Sequence, residues 1–172
     1  ARVHAEQLTH SGGAALAAEV RAVSADHLDH VTEEDATALA DAGVAGVLVP
    51  GASFMMRSRQ APGPMLIEHG VTIALATDCN PGTSYFESMG PVISLAVVQM
   101  GLTTEQAIHA ATKGGAVALG MDGHGMIRAG SAGDLVVLDA PSPAHIPYRP
   151  ATNLAWRTIK AGRVVAGGPG QG

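Results

Sequence analysis

Apolar positions fall in short runs, Val3 to Ala5, Ser24 to Leu28, Gly46 to Val49 and Val71 to Ala76. Between them lie stretches with helical spacing, about Gly13 to Ala22, Glu33 to Ala42 and near Pro64 to His69. Two further helices are predicted near Glu87 to Met100 and Thr104 to Leu119. Thr32, followed directly by acids, and Thr103, with Glu105 and Gln106 in the first turn, have the chemistry of helix N-caps. Strands that alternate with helices of this length imply a parallel sheet, and so an α/β fold. Ligands of such sheets gather at the C-terminal ends of the strands. Four strand–helix units would make half of an eight-fold (β/α)8 TIM-like barrel. From Gly120 onward the texture changes to Gly-rich turns and β-branched pieces, Leu135–Leu138, Arg157–Lys160 and Gly162–Val165, which predict a separate small β unit. The expected division is therefore 1–119 and 120–172, with Gly167 to Gly172 as a flexible tail.

The 172 residues are 47% hydrophobic with few aromatics, so the core is aliphatic. The net charge is −5 and the Lys and Arg residues are scattered singly, which gives no footprint for nucleic acid. The run Val92 to Val98 is far shorter than the roughly 20 residues that cross a bilayer, so no membrane association is expected. A single cysteine, Cys79, excludes an internal disulfide and any multi-cysteine zinc site and fits a reducing cytoplasm. The opening Ala1-Arg2-Val3-His4 reads as mid-strand, from which a piece of a longer protein is expected.

Three polar groups follow apolar strand runs: His4, His27 after Ser24-Ala25-Asp26, and Asp78 after Ile73 to Thr77. On a parallel sheet they would converge on one rim, and imidazole nitrogen with carboxylate oxygen suits Zn2+ or Fe2+. Such an ion holds a water whose pKa is pulled toward neutrality. Each residue alone reads equally as a structural group or cap. Asp78-Cys79-Asn80-Pro81-Gly82-Thr83 reads as a tight turn. It is either a plain loop or one in which Asn80, the Gly82 backbone and Thr83 hydrogen-bond a polar substrate. Cys79 is expected to be small, packed and turned away from the centre. His30 is expected to be structural, and His10, His69, His109, His124 and His145, which have no partner at ligand spacing, to be solvated. No phosphate or dinucleotide element occurs in strand-to-helix context.

Val3-His4-Ala5-Glu6-Gln7, Gly12 to Glu19, Ser24 to Leu28 and, most specifically, Ala76-Thr77-Asp78-Cys79-Asn80-Pro81-Gly82-Thr83-Ser84 resemble the imidazolonepropionases. Leu48 to Ala52 and Gly130 to Asp139 add to the resemblance, which runs from Val3 to about Val165. It implies the C-terminal half of a distorted (β/α)8 amidohydrolase barrel, strands five to eight, followed by a few strands of a small β-sandwich. It further implies one Zn2+ or Fe ion held by His4 and Asp78, with Asp78 also as general base and His27 at the carbonyl under attack. Gln7, Asn80, Gly82 and Thr83 match positions that touch substrate. The implied reaction is hydrolysis of 4-imidazolone-5-propanoate to N-formimidoyl-L-glutamate in the cytoplasm, by a full-length protein that could be a homodimer. The family's His-x-His pair and its upstream Arg, Tyr and His have no counterpart here. Gln7 stands where some relatives carry Glu, and an amide orients but cannot shuttle protons. Phe54-Met55-Met56 departs from a more aromatic loop. Two rival readings are another amidohydrolase, such as a purine- or pyrimidine-ring aminohydrolase, and a non-catalytic fragment.

Overall fold

Strands β1 (Arg2–Ala5), β2 (Ser24–His27), β3 (Ala45–Leu48) and β4 (Ile73–Leu75) pair in chain order and all in parallel. The computed structural model describes residues 1–167, so the tail expected over Gly168–Gly172 lies outside the described residues. Helices α1 (Gly13–Glu19), α2 (Glu33–Ala42), α3 (Pro50–Met56) and α4 (Gly63–Glu68) fill the connections. At the start of α2 the Thr32 hydroxyl accepts from the Asp35 amide while the Asp35 carboxylate accepts from the Thr32 amide. The predicted cap is thus a reciprocal box, with three acids complementing the helix dipole.

Register decides what each face of the sheet carries. Arg2 pairs with Ser24 and Ser24 with Ala45, while His4, Asp26, Val47 and Ala74 share the next level. Side chains at one level of a parallel sheet share a face, and neighbours along the strand take the other. The alternate set, Ala5, Ala25, Leu48, Ile73 and Leu75, is buried against Ala14, Ala17, Leu39 and Leu66 of the covering helices. The His4 face instead carries a small cluster of Ala45, Ala74 and Ala118 with Val47 against it.

Ala118 reaches that face through a break in a helix. The sequence predicts one helix over 104–119, but α6 (Thr104–His109) passes into a π-helical turn, Ala110–Gly114, and then α7 (Gly115–Ala118). The reason is steric. The turn crosses the backbone of edge strand β4, and a Cβ on Gly114 would lie 2.0 Å from the Ile73 carbonyl oxygen. Ala107 and Ala110 join the main core on one side, whereas Ala118 joins the small cluster on the other and accepts a 2.6 Å hydrogen bond from Arg2 Nη1. Helix α5 (Met89–Val98) lies earlier in the chain, shorter than predicted and almost wholly apolar.

Two elements were not foreseen. Pro50 to Met56, expected as a loop, forms α3, started by proline at its first position where a missing N–H does no harm. His145–Tyr148 forms a single turn, α8, against α5, where Ser94 Oγ donates to the Ile146 carbonyl at 3.2 Å. The tail is a three-stranded antiparallel sheet, β5 (Leu135–Leu138), β6 (Ala155–Lys160) and β7 (Arg163–Gly167), so Gly167, expected in the flexible tail, closes a strand. Asp134 braces it, accepting from Lys160 Nζ and from the Ala161 amide.

Gly114 is the position where this arrangement leaves no tolerance. Gly114→Ala forces the π turn off β4 and should lower unfolding free energy by roughly 3 kcal/mol. Gly115→Ala, beside which no atom lies closer than 3.9 Å, should change it little. Denaturant titration of both variants checks the contrast.

Candidate functional site

The strands end in backbone that ordinary residues avoid. Glu6, His27, Leu28 and Asp78 all have positive φ, at 54°, 79°, 63° and 45°. Non-glycine residues in that region typically carry about 1–3 kcal/mol of strain each and persist only where the surroundings hold them. Here Leu28 N bonds to Ala5 O at 3.0 Å and His30 N to Glu6 O at 2.8 Å, so the exits from β1 and β2 support each other.

These turns bring two of the expected residues together. The His4 and His27 rings lie 4.2 Å apart between centroids, tilted by 36°. His4 is exposed and His27 buried. Burial first, and then the neighbouring His4, hold the His27 imidazole below its ordinary value against the pull of Asp78 and Asp26. The burial that disfavours the charged ring also leaves His27 Nδ1 without a partner. Asp78 is exposed and near enough for its charge to act on His27, although its strand ends at Leu75 and two residues, Ala76 and Thr77, intervene.

The loop beyond Asp78 is closed on itself. Asn80 Oδ1 accepts from the Gly82 and Thr83 amides at 2.8 Å each, and Asn80 Nδ2 donates to the Asp78 carbonyl at 2.7 Å. Asn80 also pairs with Ser84 through backbone, and Ser84 Oγ donates to the Thr77 carbonyl at 2.6 Å. The start of α3 fits beneath, for a Cβ on Gly51 would lie 2.6 Å from the Phe86 ring. Asn80 and Thr83 thus build the loop, with the Thr83 hydroxyl 3.4 Å from Asn80 Nδ2. Cys79, expected to be packed, is exposed. Strand alternation stops at Leu75 and Asp78 turns left-handed, so the period used for that expectation no longer applies.

Several groups escaped the sequence reading. Glu6 is buried, and its carboxylate accepts from the Ser11 and Ala14 amides, the latter at 2.9 Å, doing for α1 what its Gly12 cap cannot. Asp26 stands level with His4 on the same face, with Oδ1 buried and unpartnered. Asp29 is buried, accepts from Ser53 Oγ at 2.8 Å, and has its other oxygen unpartnered. Burial pushes the Asp29 carboxyl up to about 6, against the Ser53 hydrogen bond and the charges of His30, Arg59 and His4. His10, expected to be solvated, bonds Asp35 through Nε2 at 2.9 Å. A strand-end acid that caps a helix eight residues later follows no local spacing rule, and pairs such as Asp29 with Ser53 are made only by the fold.

His4 and Asp78 are donors of the kind that Zn2+ or Fe takes, and the unpartnered atoms beside them fit a site completed by further groups. Among the described residues no set of three His, Cys, Asp or Glu side chains is placed to hold an ion. A groove of about 430 Å³ runs between the start of β4 and α6, lined by Val71, Ile73 and His109 among others. None of His4, His27 or Asp78 is among the described residues that line it. No helix among them is long and apolar enough to cross a membrane.

A parallel α/β sheet with histidines and an aspartate gathered at the C-terminal ends of its strands fits the architecture of the amidohydrolases. Residues 4–166 match the model of the Amidohydrolase family, and the chain belongs to that family. It is 49% identical over 166 residues to the imidazolonepropionase of Haloarcula marismortui, spanning 96% of this chain and 39% of that protein. It is 44% identical over 164 residues to that of Streptomyces griseus, spanning 95% and 42%. The chain thus spans about two fifths of these relatives. Among solved structures it resembles a zinc-bound adenosine deaminase from Xanthomonas campestris, with a TM-score of 0.79 and 22% identity over 95% of this chain and 44% of that one. It also resembles a zinc complex of a mutant atrazine chlorohydrolase from Arthrobacter aurescens, at 0.75 and 21% over 84% and 36%. At these identities the solved structures speak for the fold alone.

The buried Asp29 makes stability depend on pH. Its folded value of about 6 exceeds the ordinary 3.8, so the folded chain keeps a proton that the unfolded chain releases. Stability from this group is full below about pH 4 and is lost as pH rises through about 6. Asp29→Asn keeps an acceptor for Ser53 and carries no charge, so its urea midpoint should decline less from about pH 4 to 7 than that of the parent. Parallel profiles would discount the carboxyl.

Proposed function

We propose that residues 1–119 are strands five to eight, with their helices, of a (β/α)8 amidohydrolase barrel and residues 120–172 part of a β-sandwich. The enzyme they belong to hydrolyses the cyclic amide of 4-imidazolone-5-propanoate to N-formimidoyl-L-glutamate. The observation that carries this reading is the meeting of the His4 and His27 rings, 4.2 Å apart, at the C-terminal ends of parallel strands, with the charge of Asp78 acting on His27. The 49% identity to an imidazolonepropionase supports the choice of substrate.

His4 and Asp78 would hold one Zn2+ or Fe ion together with ligands from outside this chain, and its chemistry when bound is to lower the pKa of the attacking water toward neutrality. Asp78 takes the proton of that water as general base and returns it to the ring nitrogen as the C–N bond breaks. His27, whose charged form burial disfavours, contacts the carbonyl oxygen as it gains charge in the tetrahedral intermediate. Gln7, a neutral amide, orients the substrate. The Asn80 turn presents Gly82 and Thr83 to substrate with its shape already set, which lowers the entropy lost on binding. The substrate is a small molecule, and the single cysteine agrees with a cytoplasmic enzyme. The homodimer stays part of this reading.

The test is made on the natural full-length protein. His4→Ala and Asp78→Ala should each lower bound metal, measured by mass spectrometry. They should also lower the ultraviolet-detected loss of imidazolone by more than the ~10–100-fold that removal of an outer partner costs. Full metal occupancy with unchanged turnover in both variants would overturn the assignment.

A further inference from the structure

Residues 6–12, between β1 and α1, carry Gln7, and the two ends of this loop are fixed from within. Glu6 O accepts from His30 N at 2.8 Å, and the Glu6 carboxylate accepts from the Ser11 amide. The tip is different. Residues 7–10 make no backbone hydrogen bond among the described residues, and Leu8 is 70% exposed. Among the described residues the one hydrogen bond that anchors the tip runs from His10 Nε2 to Asp35 Oδ2 at 2.9 Å, across 25 positions of sequence.

Asp35 is a prepared acceptor. It is 7% exposed and already takes the Thr32 amide at 3.0 Å and the Thr32 hydroxyl at 2.8 Å on the same oxygen. Burial works against its ionisation, but the donors from Thr32 and then His10 hold its carboxyl below the usual carboxylate range. The cap of α2 is complete without His10, because the reciprocal bonds of Thr32 and Asp35 satisfy it. What the histidine adds is a link between α2 and the loop tip three residues beyond Gln7.

We propose that His10 is a positioning residue: by clasping Asp35 it fixes the tip of the β1–α1 loop so that the Gln7 amide is held toward the substrate, and it thereby sets substrate affinity. This rests on the reading of Gln7 as a substrate contact. The link needs only an N–H on Nε2, which the neutral ring in one tautomer supplies as well as the cation does. A side chain of similar reach with an N–H donor therefore replaces it.

Steady-state kinetics and calorimetric binding of N-formimidoyl-L-glutamate, both on the natural full-length protein, decide the matter. His10→Ala should raise KM about fivefold, the effect of one hydrogen bond, with kcat within about twofold and metal content unchanged. H10Q, whose Nε2 keeps the donor, should return KM to the parent value, and product affinity should follow the same order. In a Gln7→Ala background His10→Ala should have no further effect, because a residue acting through Gln7 loses its route. If Gln7→Ala alone leaves KM unchanged, the reading of Gln7 fails and takes this inference with it. If Gln7→Ala raises KM but His10→Ala does not, or raises it by the same factor in both backgrounds, the inference alone is overturned. A His10→Ala protein that does not fold would also overturn it, since the clasp would then serve the fold as a whole.

Discussion

The parallel register that sets His4, Asp26, Val47 and Ala74 at one level is the constraint on which the other features depend. Because side chains alternate, a slip of one residue would send His4 into the aliphatic face and bring Ala5 out. The burial of Ala5, Ala25, Leu48 and Leu75 against helices makes that slip costly, since each apolar group would exchange a packed site for an open one. The aliphatic core therefore acts on the chemistry indirectly, by deciding which face the imidazole occupies. Alanine on the other face leaves room there, and α7, at the end near Arg2, packs on part of it.

Register alone does not bring His27 to His4. By alternation His27 belongs with Ala5, its partner in the ladder, on the helix-covered side. The left-handed backbone at His27 and Leu28 ends the pleat, and the ring meets that of His4. Glu6 and Asp78 leave β1 and β4 in the same way. The fold supplies the level of the rim, and these local departures aim its side chains.

Much of the scaffold was legible in the sequence, because apolar runs and capping threonines report local physics. Thr32 and Thr103 cap as expected, and four short runs pair as parallel strands. Three kinds of feature were not legible. Helix α3 hides in a Pro-Gly-Ala-Ser stretch with the composition of a turn, and its burial comes from the loop and α5 that cover it. The π turn is imposed by the backbone of β4, some forty residues upstream, and no periodicity inside Thr104–Leu119 signals it. In the site, His4 and His27 stood out as polar ends of apolar runs. Asp29 with Ser53 and His10 with Asp35 are partners across loops, so neither member announces the other.

The left-handed residues at the rim give the molecule an uneven response to sequence change. Glycine relaxes such a backbone at small local cost, so a search for thermal robustness that ignores function would be drawn toward replacing Leu28 or Glu6. The gain would be deceptive. Glycine at 6 would strip the amides at the start of α1 of their acceptor, and glycine at 28 would empty a fully buried core position and free the hinge that holds His27 beside His4. Lineages selected for heat tolerance are thus expected to gain stability in the helices and outer loops and to leave these turns alone.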